Sequence, residues 1–327
     1  MPRISLCVPT YNRAALLRQC VSSLLGQTAD GIEVVVVDNC STDGTLDIVR
    51  EFLPDSRFRF VRNATNVGPQ ENWNRCVEIA QGDFIAICHD DDFYVSSYAE
   101  ECSAFLNRHP STGFVHCGYT VTDGNAKPLR QFLAYPADRV IPSRVSFLQF
   151  LRESHNIAFS SVMARRSTYA AVGRFRDGLI CGDYDMWLRM ALHADVGFLS
   201  RLLVYYRTHD DSMSLGVPIS RWCDEHLMII RDNIALAAET TPFLRDQQEN
   251  MLQQARVLWA RRGYREALSR ISYGNVEGAR DCLSAAKSLA ASPLVRLQIW
   301  MAQLMMSRVG VACLRTLRPA WQYLQRG

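Results

Sequence analysis

The first 120 residues alternate short β-rich runs with stretches of helical period, as in a parallel α/β sheet. Residues 4–8 read as a first strand, and residues 13–25 carry apolar positions at helical spacing. Residues 33–37 (EVVVV) form a β-branched run bounded by turn signals, as expected of a central strand buried on both faces. A helix over 44–53 stops at Pro54, residues 58–61 predict a third strand, 69–80 another helix, and 84–88 a fourth strand. That strand runs directly into His89-Asp90-Asp91-Asp92. From 113 to 206 the pattern is mixed, with strands over 114–121, 160–164 and 202–206 and a helix over 184–193. From about Pro218 the chain reads as all-helical, and residues 255–289 predict a packed helical pair with Gly274 in its turn.

Ligands of open α/β sheets bind outside the carboxyl ends of the strands. Polar clusters lie at three such ends: Thr10-Tyr11-Asn12, Asp38-Asn39, and Asp90-Asp91-Asp92. Neither GxGxxG nor GxxxxGK[ST] follows any strand, so dinucleotide-binding and P-loop readings lose their main support. Three consecutive carboxylates repel one another and are costly to fold together without a cation. Hard divalent ions such as Mg²⁺ or Mn²⁺ take oxygen ligands and bridge carboxylates to phosphates. Gly182-Asp183-Tyr184-Asp185 opens the 184–193 helix. One of its carboxylates can serve as a helix cap and the other as a general base toward a hydroxyl. In Tyr206-Arg207-Thr208-His209, the arginine suits a phosphate and the histidine a metal or a diphosphate.

Composition adds bounds. Hydrophobic residues at 48% and charged residues at 21% describe an ordinary globular chain, and 327 residues accommodate one large domain with a smaller appendage. The 11 cysteines show no zinc-like spacing, which favours free thiols in a reducing compartment. With no signal peptide ahead of the first strand, a cytoplasmic location is expected. The net charge of +3 conceals an asymmetry. No acidic residue follows Asp281, whereas Lys287, Arg296, Arg308, Arg315, Arg318 and Arg326 do, leaving the body mildly acidic. A nucleic-acid-binding surface is therefore not supported. The stretch from Leu294 to Leu317 reads as an amphipathic helix on the inner face of an anionic membrane, or as a packed terminal helix.

Six motifs in order resemble family 2 glycosyltransferases: VPTYNR (8–13), VVDNCSTDGT (36–45), NVGPQENWNRC (66–76), AQGDFIAICHDDD (80–92), GDYDMWLR (182–189) and YRTHDDSMS (206–214). The resemblance implies a GT-A fold, a Rossmann-like mixed sheet flanked by helices, here followed by an all-helical C-terminal extension. It implies a catalytic domain over 1–215, with a nucleotide-sugar half (1–120) and an acceptor and base half (121–215), and a helical region over 216–327 with a basic tail. The implied activity is inverting transfer of a sugar from a UDP-, GDP- or dTDP-linked donor to a glycan or lipid-linked acceptor, using Mn²⁺ or Mg²⁺. A non-catalytic nucleotide-sugar-binding scaffold and a nucleotidyltransferase are the competing readings. Residue by residue, Pro9, Thr10 and Tyr11 line the nucleotide pocket, Asp38 meets the base, and Asn66 and Gly68 contact the nucleotide. Asp90 and Asp91 face the ribose or the metal shell, Asp92 binds the metal, and Arg207 and His209 lie near the diphosphate or the metal. Asp183 matches the general base. Many relatives carry an acidic residue where this chain has Gly182, which keeps Asp185 as the alternative base. Acceptor contacts are expected between Tyr94 and Asp177.

Overall fold

The computed structural model describes residues 3–153, 157–209, 217–240, 246–272, 275–289 and 293–305. The chain divides into two compact units, Met1–Met213 and Ser214–Gly327.

In the first unit β1 (Ile4–Thr10), β2 (Ile32–Asp38), β3 (Phe58–Arg62) and β4 (Phe84–Ile87) are parallel, linked by α1 (Ala14–Leu25), α2 (Thr45–Phe52) and α3 (Pro69–Ile79). The two faces are covered by different helices, as the β-branched run at β2 requires. Leu6, Val8, Val34 and Val36 share one apolar cluster with Leu17, Val21 and Leu24 of α1 and Ile48 and Val49 of α2. On the opposite face the Cys7 thiol points at the Cys76 carbonyl of α3, 3.5 Å away. Each fully buried aliphatic side chain contributes about 1.5–3 kcal/mol. Glu33, in the middle of this core, is buried but paired: it accepts from the Ser5 hydroxyl at 2.5 Å and the Gln81 N–H at 2.6 Å, and it bonds Arg59.

Beyond β4 come β5 (Phe93–Tyr94), α4 (Tyr98–Arg108), β6 (Thr112–Thr122), β7 (Pro128–Phe132), β8 (Arg139–Ile141), α5 (Ser143–Glu153), β9 (Val162–Arg165), α6 (Arg166–Val172), α7 (Gly182–His193) and β10 (Asp195–Arg207). The sheet order is β3-β2-β1-β4-β9-β6-β10-β5, with β7 on β6 and β8 on β10. Strand β9 lies antiparallel to both β4 and β6, which makes the sheet mixed. The region read as mixed from sequence is thus a continuation of one sheet. Two features went beyond that reading. Strand β10 is 13 residues long, and β5, β7 and β8 are short strands without apolar alternation.

The second unit is helical: α8 (Ile219–Thr240), α9 (Gln248–Ser272), α10 (Val276–Leu289) and α11 (Pro293–Met305). Helices α9 and α10 are the packed pair expected from sequence, although Gly274 lies outside the described residues. Their seam is built from small residues. A Cβ at Gly263 would sit 3.0 Å from the Cys282 carbonyl and 3.2 Å from the Ala286 methyl, so glycine permits the close approach. Among the described residues no helix is long and apolar enough to cross a membrane. Leu297, Trp300 and Met301 of α11 are exposed, and the rest of the 294–317 stretch, from 306 on, lies outside the described residues.

Candidate active site

The ends of β1, β2 and β4 are level. Thr10 pairs with Asp38 across β1 and β2, Ile87 pairs with Cys7, and the Cys88 N–H donates to the Cys7 carbonyl at 2.7 Å. The polar tips of three strands therefore meet at one sheet edge. Asn12, at a left-handed φ of 52°, fixes the tip of β1 to the loop after β2. Its N–H donates to the Ser41 hydroxyl and its side-chain carbonyl accepts from the Thr42 N–H. Asn39 draws the next loop in, donating to the Asn66 side chain at 2.8 Å and to the Gly68 carbonyl at 3.2 Å and accepting from the Val67 N–H. Gly68 has φ 86°, a backbone that L side chains rarely adopt, so this turn requires glycine.

The acidic turn after β4 is held from several sides. Asp92 is buried: the Ser160 hydroxyl donates to one oxygen at 2.5 Å and the Arg207 N–H to the other at 2.8 Å. Burial, reinforced by Asp91, pushes its pKa well above the usual carboxylate range. Asp90 is also buried, and burial with the Asp91 charge pushes it up to about 7, against the opposing pull of Arg13, Thr10 and the Tyr11 N–H. Burial would raise Asp91 too, but His89, Arg13 and His209 outweigh it and hold its pKa low. Arg13 reaches Asp91 at 2.6 Å, and His209 Nε2 lies 3.0 Å from the same oxygen and 2.9 Å from the Arg13 guanidinium. Protonation is thus set apart across three adjacent carboxylates by what each one touches.

His89 completes this corner. Its ring stacks on Trp73 (centroids 6.2 Å apart) and meets Phe159 edge-on at 4.7 Å. Burial lowers its pKa, which favours the neutral imidazole. Its Nε2 is buried and has no hydrogen-bond partner among the described residues. Ligand atoms of His89, Asp91 and Asp92 all lie within 4.8 Å of one another. An imidazole nitrogen without a hydrogen-bond partner among the described residues, beside the carboxylates of Asp91 and Asp92, is a donor set suited to a divalent cation. The residues therefore fit the metal implied by the sequence.

The comparisons with known proteins bear on this arrangement. Residues 5–170, about half of the chain, match the model of glycosyl transferase family 2. The chain belongs to that family. A PGL/p-HBAD biosynthesis glycosyltransferase of Mycobacterium bovis is 29% identical over 194 residues, 58% of this chain and 69% of that one. The chain spans about two thirds of the length of the curated relatives it matches, 65% of one and 69% of another. Among solved structures, S. aureus TarS 1-349 in complex with UDP-GlcNAc shares the fold with a TM-score of 0.65 at 18% identity, covering 98% of this chain and 92% of that one. The mannosyltransferase PcManGT of Pyrobaculum calidifontis, in complex with GDP-Man and Mn²⁺, shares it with a TM-score of 0.54 at 19% identity, covering 96% and 83%. The GT-A fold expected from the six motifs is the fold of this glycosyltransferase.

Within that fold the two candidate bases have very different surroundings. Asp183 opens α7 and accepts the Tyr184 N–H at 2.8 Å. It is half-buried, and its charge acts on both His89 and Tyr206, which places it beside the acidic turn. Asp185 is wholly buried between Arg176 at 2.5 Å and Arg189 at 3.0 Å, so its carboxylate is spent on tying α7 to the preceding loop.

The other residues read from the sequence have varied surroundings. Asp38 has no exposed surface. One oxygen accepts the Ser41 N–H at 2.9 Å and the other lies 3.2 Å from Arg62, so it braces the loop beneath the pocket. Arg207 is buried too, its guanidinium donating to the Gly124 carbonyl and the Gln19 side chain. It supports the acidic turn through its backbone, and its guanidinium is not presented to a diphosphate in this conformation. His209 is joined to Asp91 and Arg13, while His89, given no role from sequence, stands with Asp91 and Asp92. Tyr11 is 44% exposed at the mouth, Thr10 is buried behind it, and Pro9 is half-buried within β1. Sequence reading gave no individual role to Arg13, Asn39 or Ser160, although Asn39 was counted in a polar cluster. Arg13 and Asn39 stood inside quoted motifs, whereas nothing local marks Ser160.

Proposed function

We propose that this family 2 glycosyltransferase moves a sugar from a nucleoside-diphosphate donor to an acceptor hydroxyl with inversion, in the assembly of a cell-surface glycan. The observation that carries the reading is the corner formed by His89, Asp91 and Asp92 with Asp183 facing it. His89, Asp91 and Asp92 would hold a divalent cation, Mn²⁺ or Mg²⁺, which supplies charge neutralisation at the departing nucleoside diphosphate. Asp183 takes the proton of the acceptor hydroxyl. The freed oxygen forms its bond to the anomeric carbon as the bond to the diphosphate oxygen breaks on the opposite face. One base is enough, because no covalent intermediate forms.

The loop after β2 and the turn at Gly68, joined through Asn39, frame the place for the nucleoside. Asn66 is exposed along it, Gly68 is half-buried, and Tyr11 is exposed beside it. The GDP- and UDP-sugar complexes of the structural neighbours support a nucleotide-sugar donor, and the Mn²⁺ in one of them supports the metal. The test is equilibrium binding of purified protein to a UDP-, GDP- and dTDP-sugar panel with and without Mn²⁺. One donor should bind, and more tightly with metal. If no member binds under either condition, the reading is wrong.

The exposed Leu297, Trp300 and Met301 of α11, at helical spacing and followed by a basic tail, support a peripheral contact with anionic lipid. Flotation of the protein with phosphatidylglycerol vesicles checks it. A protein that stays at the bottom of the gradient with anionic vesicles rules the contact out.

A further inference from the structure

Tyr206 immediately precedes Arg207, whose N–H holds Asp92, so the end of β10 passes beside the acidic turn. Side chains alternate along this strand. Tyr205 stacks on Phe93 (4.4 Å, 7°) and the Arg207 guanidinium lies over the same ring at 5.4 Å. Tyr206 therefore belongs to the other face. There its ring meets Tyr119 of β6 at 6.0 Å, and Tyr119 stacks on Phe132 of β7 at 5.1 Å and 21°. The Arg130 guanidinium lies over Phe132 at 5.0 Å.

The result is a row of three aromatic rings leading from the reaction corner to a cation on the edge strand β7. Each ring is half-buried, and Arg130 is exposed. The Tyr206 hydroxyl has no hydrogen-bond partner among the described residues. Beyond its partial burial, Tyr206 feels the charges of Asp92, Asp91 and Asp183, so it lies near both the acidic turn and the base. Half-exposed aromatic rings beside polar groups suit a pyranose. Its C–H face covers the ring while its hydroxyls find polar partners at the rim.

We infer that Tyr206, Tyr119 and Phe132 form the acceptor platform of this enzyme. The terminal pyranose of the acceptor lies on Tyr206 with its nucleophilic hydroxyl toward Asp183, and the preceding sugars run outward over Tyr119 and Phe132. Arg130 meets an anionic group, a phosphate or a sugar carboxylate, at the outer end. The inference rests on the glycosyltransferase reading and extends it to the second substrate.

The experiment measures donor affinity by calorimetry, and acceptor KM and kcat with p-nitrophenyl mono- and oligosaccharides as probes. Wild type is compared with Tyr119→Ala, Tyr119→Phe, Phe132→Ala and Arg130→Ala. Tyr119→Ala and Phe132→Ala should each raise acceptor KM about five- to tenfold, the worth of one stacking contact. The donor dissociation constant should not move, and Tyr119→Phe should restore the wild-type KM. Arg130→Ala should raise KM for a probe carrying a uronic acid and not for its neutral counterpart. An unmoved acceptor KM in both alanine variants overturns the platform. A donor affinity that falls in step with acceptor KM also overturns it, since the rings would then be merely structural. Wild type that binds a donor but neither binds nor glycosylates any probe counts against the platform alone. Wild type that binds no donor removes the glycosyltransferase reading and the platform with it.

Discussion

Asp92→Ala is expected to abolish metal-dependent donor binding and to lower turnover on the order of 10³-fold or more, the scale of losing one charge-stabilising element from a reaction centre. Asp92 is the carboxylate of the triplet fixed on both oxygens, by the Ser160 hydroxyl and the Arg207 N–H. Its orientation is therefore set before any ligand arrives, and the cost of assembling the site has already been met in folding. That cost is visible in its raised pKa, which burial and Asp91 cause. Taking the carboxylate away relieves repulsion in the metal-free protein, so the variant should not unfold at a lower temperature for electrostatic reasons. It does leave two buried donors unmet, at about 1–3 kcal/mol each. Asp92→Asn retains an acceptor for them and separates the two effects. Calorimetric titration of donor with and without Mn²⁺ is the measurement. A folded Asp92→Asn protein that still binds donor in a metal-dependent way would remove Asp92 from the metal site.

The parallel half of the sheet was legible because β1, β2 and β4 are buried along nearly their whole length and read as apolar runs. Each of these three ends in a polar cluster, so that sheet edge was legible as well. The rest depended on tertiary context. β7, with the sequence PLRQF, is an edge strand with four exposed residues, and β5 is two residues long; neither has a period to read. That β9 inserts antiparallel between β4 and β6 is a matter of pairing, which local pattern does not encode. At the site, residue type predicted chemistry better than it predicted direction. Asp38 and Arg207 have the right groups for a base and a phosphate, but both side chains are turned inward to brace loops. His89 was given no role, although it immediately precedes the acidic cluster. What distinguishes it is a ring stacked on Trp73 and edge-on to Phe159, with its Nε2 left without a hydrogen-bond partner among the described residues, and those contacts join residues 16 and 70 positions apart in sequence.

Asp183→Asn should keep donor affinity and lose turnover by about 10²–10⁴-fold, the contribution of a positioned general base. The side chain sits in the first turn of α7, where the positive end of the helix favours a carboxylate. Asparagine preserves the hydrogen bond from Tyr184, so the helix start survives and only basicity goes. Asp185→Asn supplies the contrast. Its carboxylate neutralises Arg176 and Arg189 without touching solvent, so its loss leaves two cations without their buried counter-charge and should cost roughly 3–5 kcal/mol of stability. Urea unfolding, donor calorimetry and single-turnover transfer on the two variants distinguish base from brace. Asp183→Asn should unfold like wild type and fail to transfer, while Asp185→Asn should unfold at lower denaturant and transfer while it remains folded. The reverse pattern would make Asp185 the base and Asp183 the helix cap. The physical difference behind the expectation is access: a general base must meet its substrate's proton, and Asp183 is half-buried whereas Asp185 has no exposed surface.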